Sequence, residues 1–373
     1  MRHKRLMEYI WQRKEWPHLQ YDVASVQGKI LRFTEKTGRV DGLLSTLPDA
    51  LQTETIVDIM VAEAIKSSEI EGEMLSRPDV MSSIKNNLGL VARPDRIGDR
   101  RAEGMAELMV CVRNDYVQPL SRKLLFEWHT MLMKGSPRTK AGAWRRHSEP
   151  MLIVSGTIGS EHIHYEAPPS KQVPSEMKHF IEWFNRTGPG AREEICFAPV
   201  RSAVAHLFFE SIHPFEDGNG RMGRALSEKA LSQGLGRPVL FSLSRSIDAD
   251  RTGYYAALKE AQQSSEITGW LEWFVDMLLR AQAQAEADIE FTLKKTKLFT
   301  RIESQLNSRQ LKAVRRMLKD GPSSFEGGMT AKKYMAITKA TKPTATRDLQ
   351  SLVAQAVLVP VGGGRSTHYL ITI

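Results

Sequence analysis

A proline and two glycines set between two stretches of helical periodicity constrain this chain more than any other feature. In residues 197–212, Val200, Val204, Leu207, Phe208 and Ile212 recur at spacings of three to four, the pattern of a buried helix. Pro214 should stop that helix, because the residue before a proline is pushed out of the α region. Met222, Ala225, Leu226, Lys229 and Ala230 resume the helical period, so residues 215–220 form a short loop that opens a second helix. The amides of its first turn have no partner within the helix and point outward.

Those loop residues suit phosphate. Gly218 and Gly220 can take backbone conformations closed to other residues and allow close approach of a ligand. With the unpaired amides of the helix start they make an anion nest. Arg221 and Arg224 are three apart, hence neighbours on one helix face, where planar guanidinium forks can grip successive phosphates. Asp217 offers a hard oxygen ligand suited to Mg²⁺ held jointly with phosphate oxygens. His213, at the end of the first helix, can take a proton from an incoming hydroxyl. A lone Gly-x-Gly, or a lone histidine before proline, would be ordinary helix punctuation. The combination within 12 residues points to transfer of a phosphate-linked group.

The stretch His213-Pro-Phe-Glu-Asp-Gly-Asn-Gly-Arg-Met-Gly-Arg224 resembles the Fic family pattern His-Pro-Phe-x-(Asp/Glu)-Gly-Asn-Gly-Arg-x-x-Arg. Its fixed positions are matched by His213, Pro214, Phe215, Asp217, Gly218, Asn219, Gly220, Arg221 and Arg224. The resemblance implies a mainly α fold and transfer of AMP from ATP to a Ser, Thr or Tyr hydroxyl of a target protein. It also implies roles. His213 would be the general base, Asp217 the Mg²⁺ ligand, and Phe215 the core residue that holds the loop. Asn219 would touch the α-phosphate, with Gly218 and Gly220 giving backbone donors. Arg221 would bind the β-phosphate and Arg224 the γ-phosphate, and Met222 and Gly223 complete the expected ATP-binding run.

Upstream, Ser67-Ser-Glu-Ile-Glu-Gly72 ends a helix whose Ile56, Ile59, Met60, Ala64 and Ile65 form an apolar stripe. It resembles the family's inhibitory motif (Ser/Thr)-x-x-x-Glu-(Gly/Asn), matched by Ser67, Glu71 and Gly72. If Glu71 pairs with Arg224, that arginine cannot receive the γ-phosphate, so Glu71 belongs to the ATP site as well as to its inhibition. The plainer reading is a helix end whose C′ residue is Gly72.

Residues 150–154 and 161–166 are short extended runs joined by a Ser- and Gly-rich turn, a β-hairpin signature. It lies where the family places a flap that clamps the target backbone by strand addition, and Ile163, His164 and Tyr165 are its expected working edge. His162 and His164 alternate there, but no further metal ligands cluster with them. Downstream, residues 250–258 resemble the family segment that borders the adenine. Tyr254 and Tyr255 would stack on or hydrogen-bond to the base and Gln262 would read its edge; aromatics at such spacing also serve as core.

The chain is long enough for several domains, and four segments are expected. Residues 1–95 are an N-terminal helical region with the inhibitory helix, resembling a segment found with one subset of Fic proteins. Residues 96–280 are the catalytic core, 281–305 a linker helix and 306–373 a winged-helix domain. That last assignment rests on three helical segments followed by two extended runs around Gly362-Gly-Gly364, and residues 344–349 resemble the superfamily's recognition helix.

Charge separates the tail from the rest. From Lys294 onward there are 15 Lys and Arg against 4 Asp and Glu, whereas the preceding 293 residues are nearly neutral. Thr346 and Arg347 would face DNA, with Arg365 at the wing tip, since basic charge gives affinity for phosphates. A winged helix used for packing or for docking a protein is the equal alternative.

No apolar run reaches the roughly 20 residues that a membrane helix needs, and the basic start leads into no hydrophobic segment. The two cysteines, Cys111 and Cys196, show no metal or redox spacing. A cytoplasmic protein is expected, with ATP, Mg²⁺, target hydroxyls, DNA and a second copy of the chain as candidate partners. Two further functions compete with transfer: a nucleotide-sensing DNA-binding regulator with little transferase activity, and an enzyme that removes AMP by using Glu71 to position water.

Overall fold

The computed structural model describes residues 8–136, 139–155, 162–319, 325 and 327–372; the side chains of Val154, Ser155, His162 and Arg365 are outside that description. The flap turn and the turn expected at residues 321–324 also lie outside the described residues. The described chain is mainly helical. Its helices are α1 (Gln27–Ser45), α2 (Asp49–Ile70), α3 (Arg77–Asn87), α4 (Arg100–Asn114), α5 (Arg122–Leu132), α6 (Val173–Arg186), α7 (Ala198–Ile212), α8 (Asn219–Leu235), α9 (Leu243–Ala249), α10 (Arg251–Ala261), α11 (Thr268–Ile302), α12 (Ser308–Met317), α13 (Ala331–Thr338) and α14 (Lys342–Ala354). The strands β1 (Leu152–Ser155) and β2 (His162–Glu166) form one hairpin, and β3 (Leu358–Val361) and β4 (His368–Ile371) another.

Two compact units are present: the described residues of Met1–Gly42 with Pro48–Ala285, and those of Leu43–Leu47 with Glu286–Ile373. This differs from the expected four segments. The N-terminal region is no separate domain, because Val57, Met60, Val61 and Ala64 of α2 share one apolar cluster with Met105 of α4 and Met222, Ala225 and Leu226 of α8. The expected linker at 281–305 is the later part of α11, which starts at Thr268. Its first turns carry Trp270, Leu271, Phe274 and Val275 into the core of the first unit.

At the centre of the first unit lies α7, every residue of which is buried. A helix apolar around its whole circumference belongs in the interior, and the few polar residues of α7 are paired accordingly. Arg201 donates to the carbonyl of Phe184 at 2.7 Å and lies over that ring. Ser202 donates to the carbonyl of Ser227 in α8 at 2.9 Å. The α7–α8 pair thus forms a fixed support for the loop between them.

In the second unit, Thr330 caps α13 by accepting from the amide of Lys333, so that helix begins two residues later than Met329. Pro343 sits in the first turn of α14, where a missing N–H costs nothing. Leu349 and Leu352 of α14, Tyr334 of α13 and Val314 and Met317 of α12 form one core. Asp348 ties three segments together, accepting from Arg309 at 2.9 Å, Tyr334 at 2.9 Å and Asn307 at 3.2 Å. Three helices followed by an antiparallel hairpin is the order read from the sequence. Thr346 and Arg347 lie exposed on α14.

Candidate active site

The loop between α7 and α8 is held from both ends. His213 terminates α7 in the left-handed region, at φ +50°, with its amide still donating to the carbonyl of Phe209. Arg145, almost fully buried, fixes that turn: its Nε donates to the His213 carbonyl at 2.7 Å, its Nη2 to the carbonyls of Ile212 and Pro168, and its Nη1 to Ser170 Oγ at 2.9 Å. Its own amide donates to the Pro214 carbonyl. One guanidinium therefore satisfies carbonyls orphaned at a helix C-terminus.

Further along, Phe215 is fully buried and stacks on His129, with centroids 3.9 Å apart. The Gly142 amide donates to His129 Nδ1 at 2.9 Å, which leaves Nε2 as donor to the Asp217 carbonyl at 3.1 Å. Burial pushes the His129 pKa down to about 4, in keeping with that neutral tautomer. Asn219 is also committed to the loop, since its side chain accepts from the Phe215 amide and donates to the Phe215 carbonyl, both at 2.9 Å. The Asn219 amide group is therefore a loop clasp, in contrast to the α-phosphate contact expected of it.

Gly218 takes φ +81° as the residue that caps α8. Gly220 does not share that conformation; it lies inside α8. Its lack of a side chain matters instead for close approach, because a Cβ there would clash with Oε1 of Glu71. Met222 is core, and Gly223 is packed against the carboxylate of Glu210.

Both arginines of α8 are buried and both are paired to the end of α2. Arg224 donates from Nε to Ser67 Oγ at 2.9 Å, and from Nη2 to the Ser67 carbonyl and to Glu71 Oε1, each at 2.8 Å. Arg221 donates from Nη1 to Glu73 Oε2 at 2.6 Å and reaches Asp217 Oδ1 at 3.4 Å. Gly72, at φ +80°, is indeed the C′ residue of α2, and the Glu73 amide closes back on the Ser68 carbonyl. The two readings of Gly72 thus coincide: the helix-stop turn is what delivers Glu71 and Glu73 to the two arginines.

The charges are set by these neighbours. Burial pushes the Glu71 carboxyl up, but Arg224, and behind it Arg221 and His213, outweigh this and hold its pKa below the ordinary value. His213 is depressed to about 4, by burial first and then by Arg145, so its imidazole is neutral at pH 7. Glu210, three residues before His213, moves the other way: burial, reinforced by Glu71, raises it to about 8. Its Oε2 lies 3.7 Å from His213 Nδ1, and its Oε1 has no hydrogen-bond partner.

Other expected site residues lie elsewhere. Tyr254 is core, its hydroxyl 2.8 Å from His206 Nε2 and its ring among Trp270 and Trp273, so it is not free to stack on a base. Tyr255 beside it is 43% exposed. Gln262 is buried at the end of α10, where its carbonyl accepts from the Ile10 amide. In the hairpin, Ile163 is exposed, whereas Tyr165 is buried and donates to the Ser211 carbonyl at 2.7 Å. A bulge explains the change of face: Ile153 pairs with Tyr165 but Val154 with Ile163, leaving His164 as the extra residue. Tyr165 is accordingly the hairpin's anchor rather than its edge.

Among the described residues no group of three or more His, Cys, Asp and Glu could hold a metal. Asp217, half exposed beside the anion nest, fits a Mg²⁺ ion only as one carboxylate shared with phosphate oxygens.

Comparison with known proteins extends this picture. Residues 119–231 match the Fic/DOC family, and residues 9–90 match a domain of unknown function, DUF4172. The chain is 34% identical over 152 residues to a protein adenylyltransferase Fic from Aedes aegypti, covering 40% of this chain and 26% of that one. It is 31% identical over 101 residues to a probable protein adenylyltransferase from Aquifex aeolicus, covering 27% and 28%. The matches thus span little more than a quarter of those relatives. Among solved structures, a Fic family protein from Desulfovibrio desulfuricans G20 has a TM-score of 0.52 at 20% identity, covering 92% of this chain and 96% of that one. Fic-1 from C. elegans has a TM-score of 0.50 at 19% identity, covering 72% and 74%. At these identities the likeness to solved structures is one of fold.

Proposed function

From a chain that carries a Fic/DOC domain, we propose a protein adenylyltransferase that moves AMP from ATP to a hydroxyl side chain of a target protein and is restrained by its own α2. The observation that carries the reading is the double engagement of Arg224 by Ser67 and Glu71 at the start of α8, beside a neutral His213. Such a site has donors for a triphosphate, and an internal carboxylate stands in the place of a phosphate.

In the proposed reaction the acceptor oxygen attacks the α-phosphorus, the bond to the bridging oxygen breaks and pyrophosphate leaves. His213 takes the hydroxyl proton. Amides of the α8 start, with Arg221 and Arg224, bind the phosphates and stabilise the developing charge. Mg²⁺, held by Asp217 and phosphate oxygens, would neutralise phosphate charge. Because Arg221 and Arg224 are already paired to Glu73 and Glu71, phosphate binding requires the end of α2 to yield.

The tail supports a proposal of its own, a winged helix that recruits targets or DNA, from the basic charge after Lys294 and the exposed Arg347. No helix among the described residues is long and apolar enough to cross a membrane.

Incubation with labelled ATP and Mg²⁺ tests the central reading. Wild type should label weakly, Glu71→Gly strongly and Glu71→Gly/His213→Ala not at all. Label that survives the histidine change would remove His213 as base. Absence of label with Glu71→Gly would favour a nucleotide-sensing regulator, and loss of AMP release on changing Glu71 would favour the reverse reaction.

A further inference from the structure

The carboxylate of Glu210 has no part in the chemistry above, yet it is the buried acid nearest the base. It sits one helical turn before His213 on α7, with 6% of its side chain exposed. Its Oε2 faces His213 Nδ1 at 3.7 Å, somewhat beyond hydrogen-bond reach, and Oε1 is buried without a partner. Room for it is made by Gly223, where a Cβ would clash with Oε1. An unpaired buried carboxyl oxygen is destabilising, so its presence calls for a reason.

A general base is oriented in turn by a third group in many sites, and such contacts tighten only when substrate is bound. We propose that Glu210 is a positioning residue for His213: it engages Nδ1, turns Nε2 toward the acceptor hydroxyl, and holds the imidazolium once the proton has moved. This rests on the proposed transfer reaction and deepens it.

The groups around Glu210 link it to the end of α2. Glu71 and Arg224 face it, as do Tyr254 and Tyr255 of α10 and His213 on its own helix. Burial and the Glu71 charge favour the protonated acid, while Arg224 favours the carboxylate. With Glu71 seated, Glu210 is neutral and holds His213 weakly. When Glu71 withdraws, one source of repulsion goes and the carboxylate can form beside the base. Departure of Glu71 would then do two things at once: free Arg224 for phosphate and ready His213 for the proton.

The test is Glu210→Gln in a Glu71→Gly background, since glutamine keeps the volume and packing but cannot carry charge. The backbone carbonyl of Glu210, which also supports the protonated imidazole, is untouched by that change. Expected is a fall in kcat of about tenfold to a hundredfold with KM for ATP little altered, and a displaced acidic limb of the pH–rate profile. Unaltered kcat and pH profile, or a rise in KM alone, would overturn the proposal. A second readout needs no turnover: in nitrogen-15 spectra of the same pair of proteins, the His213 pKa should fall by about half a unit or more when the carboxylate is removed. An unmoved His213 titration counts against Glu210. If Glu71→Gly transfers no label, the transfer reading fails while the spectra still decide the Glu210–His213 relation.

Discussion

Gly220 lies directly beneath the carboxylate of Glu71, so close that a methyl group there would occupy the position of Oε1. Replacement Gly220→Ala should expel Glu71 from Arg224, because the end of a flexible side chain yields before a helix backbone does. The methyl would also crowd Arg224 and the seat of the phosphates. Unlike Glu71→Gly, this variant should lose the contact without gaining transfer. Labelled-ATP assays of the two side by side distinguish the effects, and strong labelling by Gly220→Ala would contradict the tight seat.

The Glu71–Arg224 pair should also show in stability. Because the Glu71 pKa is held below its ordinary value, its contribution is present above the unfolded value of about 4.3 and is lost as pH falls through the folded one. Urea unfolding at pH 7 should find Glu71→Gln about 1–2 kcal/mol less stable than wild type, with the gap closing below pH 4. A gap that persists in acid would mean that the carboxylate charge is not what binds.

Glu73 should act as a second restraint. Arg221 is 3% exposed and donates to Glu73 at 2.6 Å, so a nucleotide must displace that carboxylate as well. Glu73→Gln combined with Glu71→Gly should bind an ATP analogue more tightly than Glu71→Gly alone, by about threefold to tenfold. Calorimetric titration measures this; equal affinities would leave Glu73 a surface partner only.

His213 gives a dependence on pH with the same sign by another route. Its folded pKa of about 4 lies below the ordinary 6.5, so the unfolded chain binds more protons between these values. Stability from this group is present above pH 6.5 and declines as pH falls toward 4. His213→Asn should flatten that part of the stability profile in chemical denaturation, and an unchanged slope would place the dependence elsewhere.

Arg145 should tolerate little. Its guanidinium satisfies carbonyls of Ile212, His213 and Pro168, and lysine cannot span them. Arg145→Lys should be destabilised by about 2–4 kcal/mol and should lower transfer in the Glu71→Gly background even at temperatures where it is folded. Thermal melts and the labelling assay check the two parts separately.

How much of this was legible beforehand follows the range of the interactions. The α7–loop–α8 order could be read because apolar spacing, Pro214 and Gly218 are local signals. The pairing of Arg224 with Ser67 and Glu71 could be expected only from a resemblance between two short motifs far apart in the chain. Glu73 was overlooked, although it follows Gly72 directly and any turn at that glycine would aim it back. Glu210 had a local signal too, since a residue three before His213 shares its helix face. His129 and Arg145 had none, because they serve the loop from 88 and 68 residues away. Tyr254 and Tyr165 misled for the opposite reason: an aromatic near a site looks the same in sequence whether it lines the pocket or supports its wall.

The helix that supplies the restraint is also a wall of the interior, with Val57, Met60, Val61 and Ala64 in the same apolar cluster as Met222, Ala225 and Leu226. It cannot swing aside like a lid without opening the protein. What is left to move is its final turn, from Ser67 to Glu73. A signal that unwinds those few residues, from a partner grasping Gly72 or from a change in the medium, would be sufficient to start the enzyme, and the same few residues could rewind to stop it.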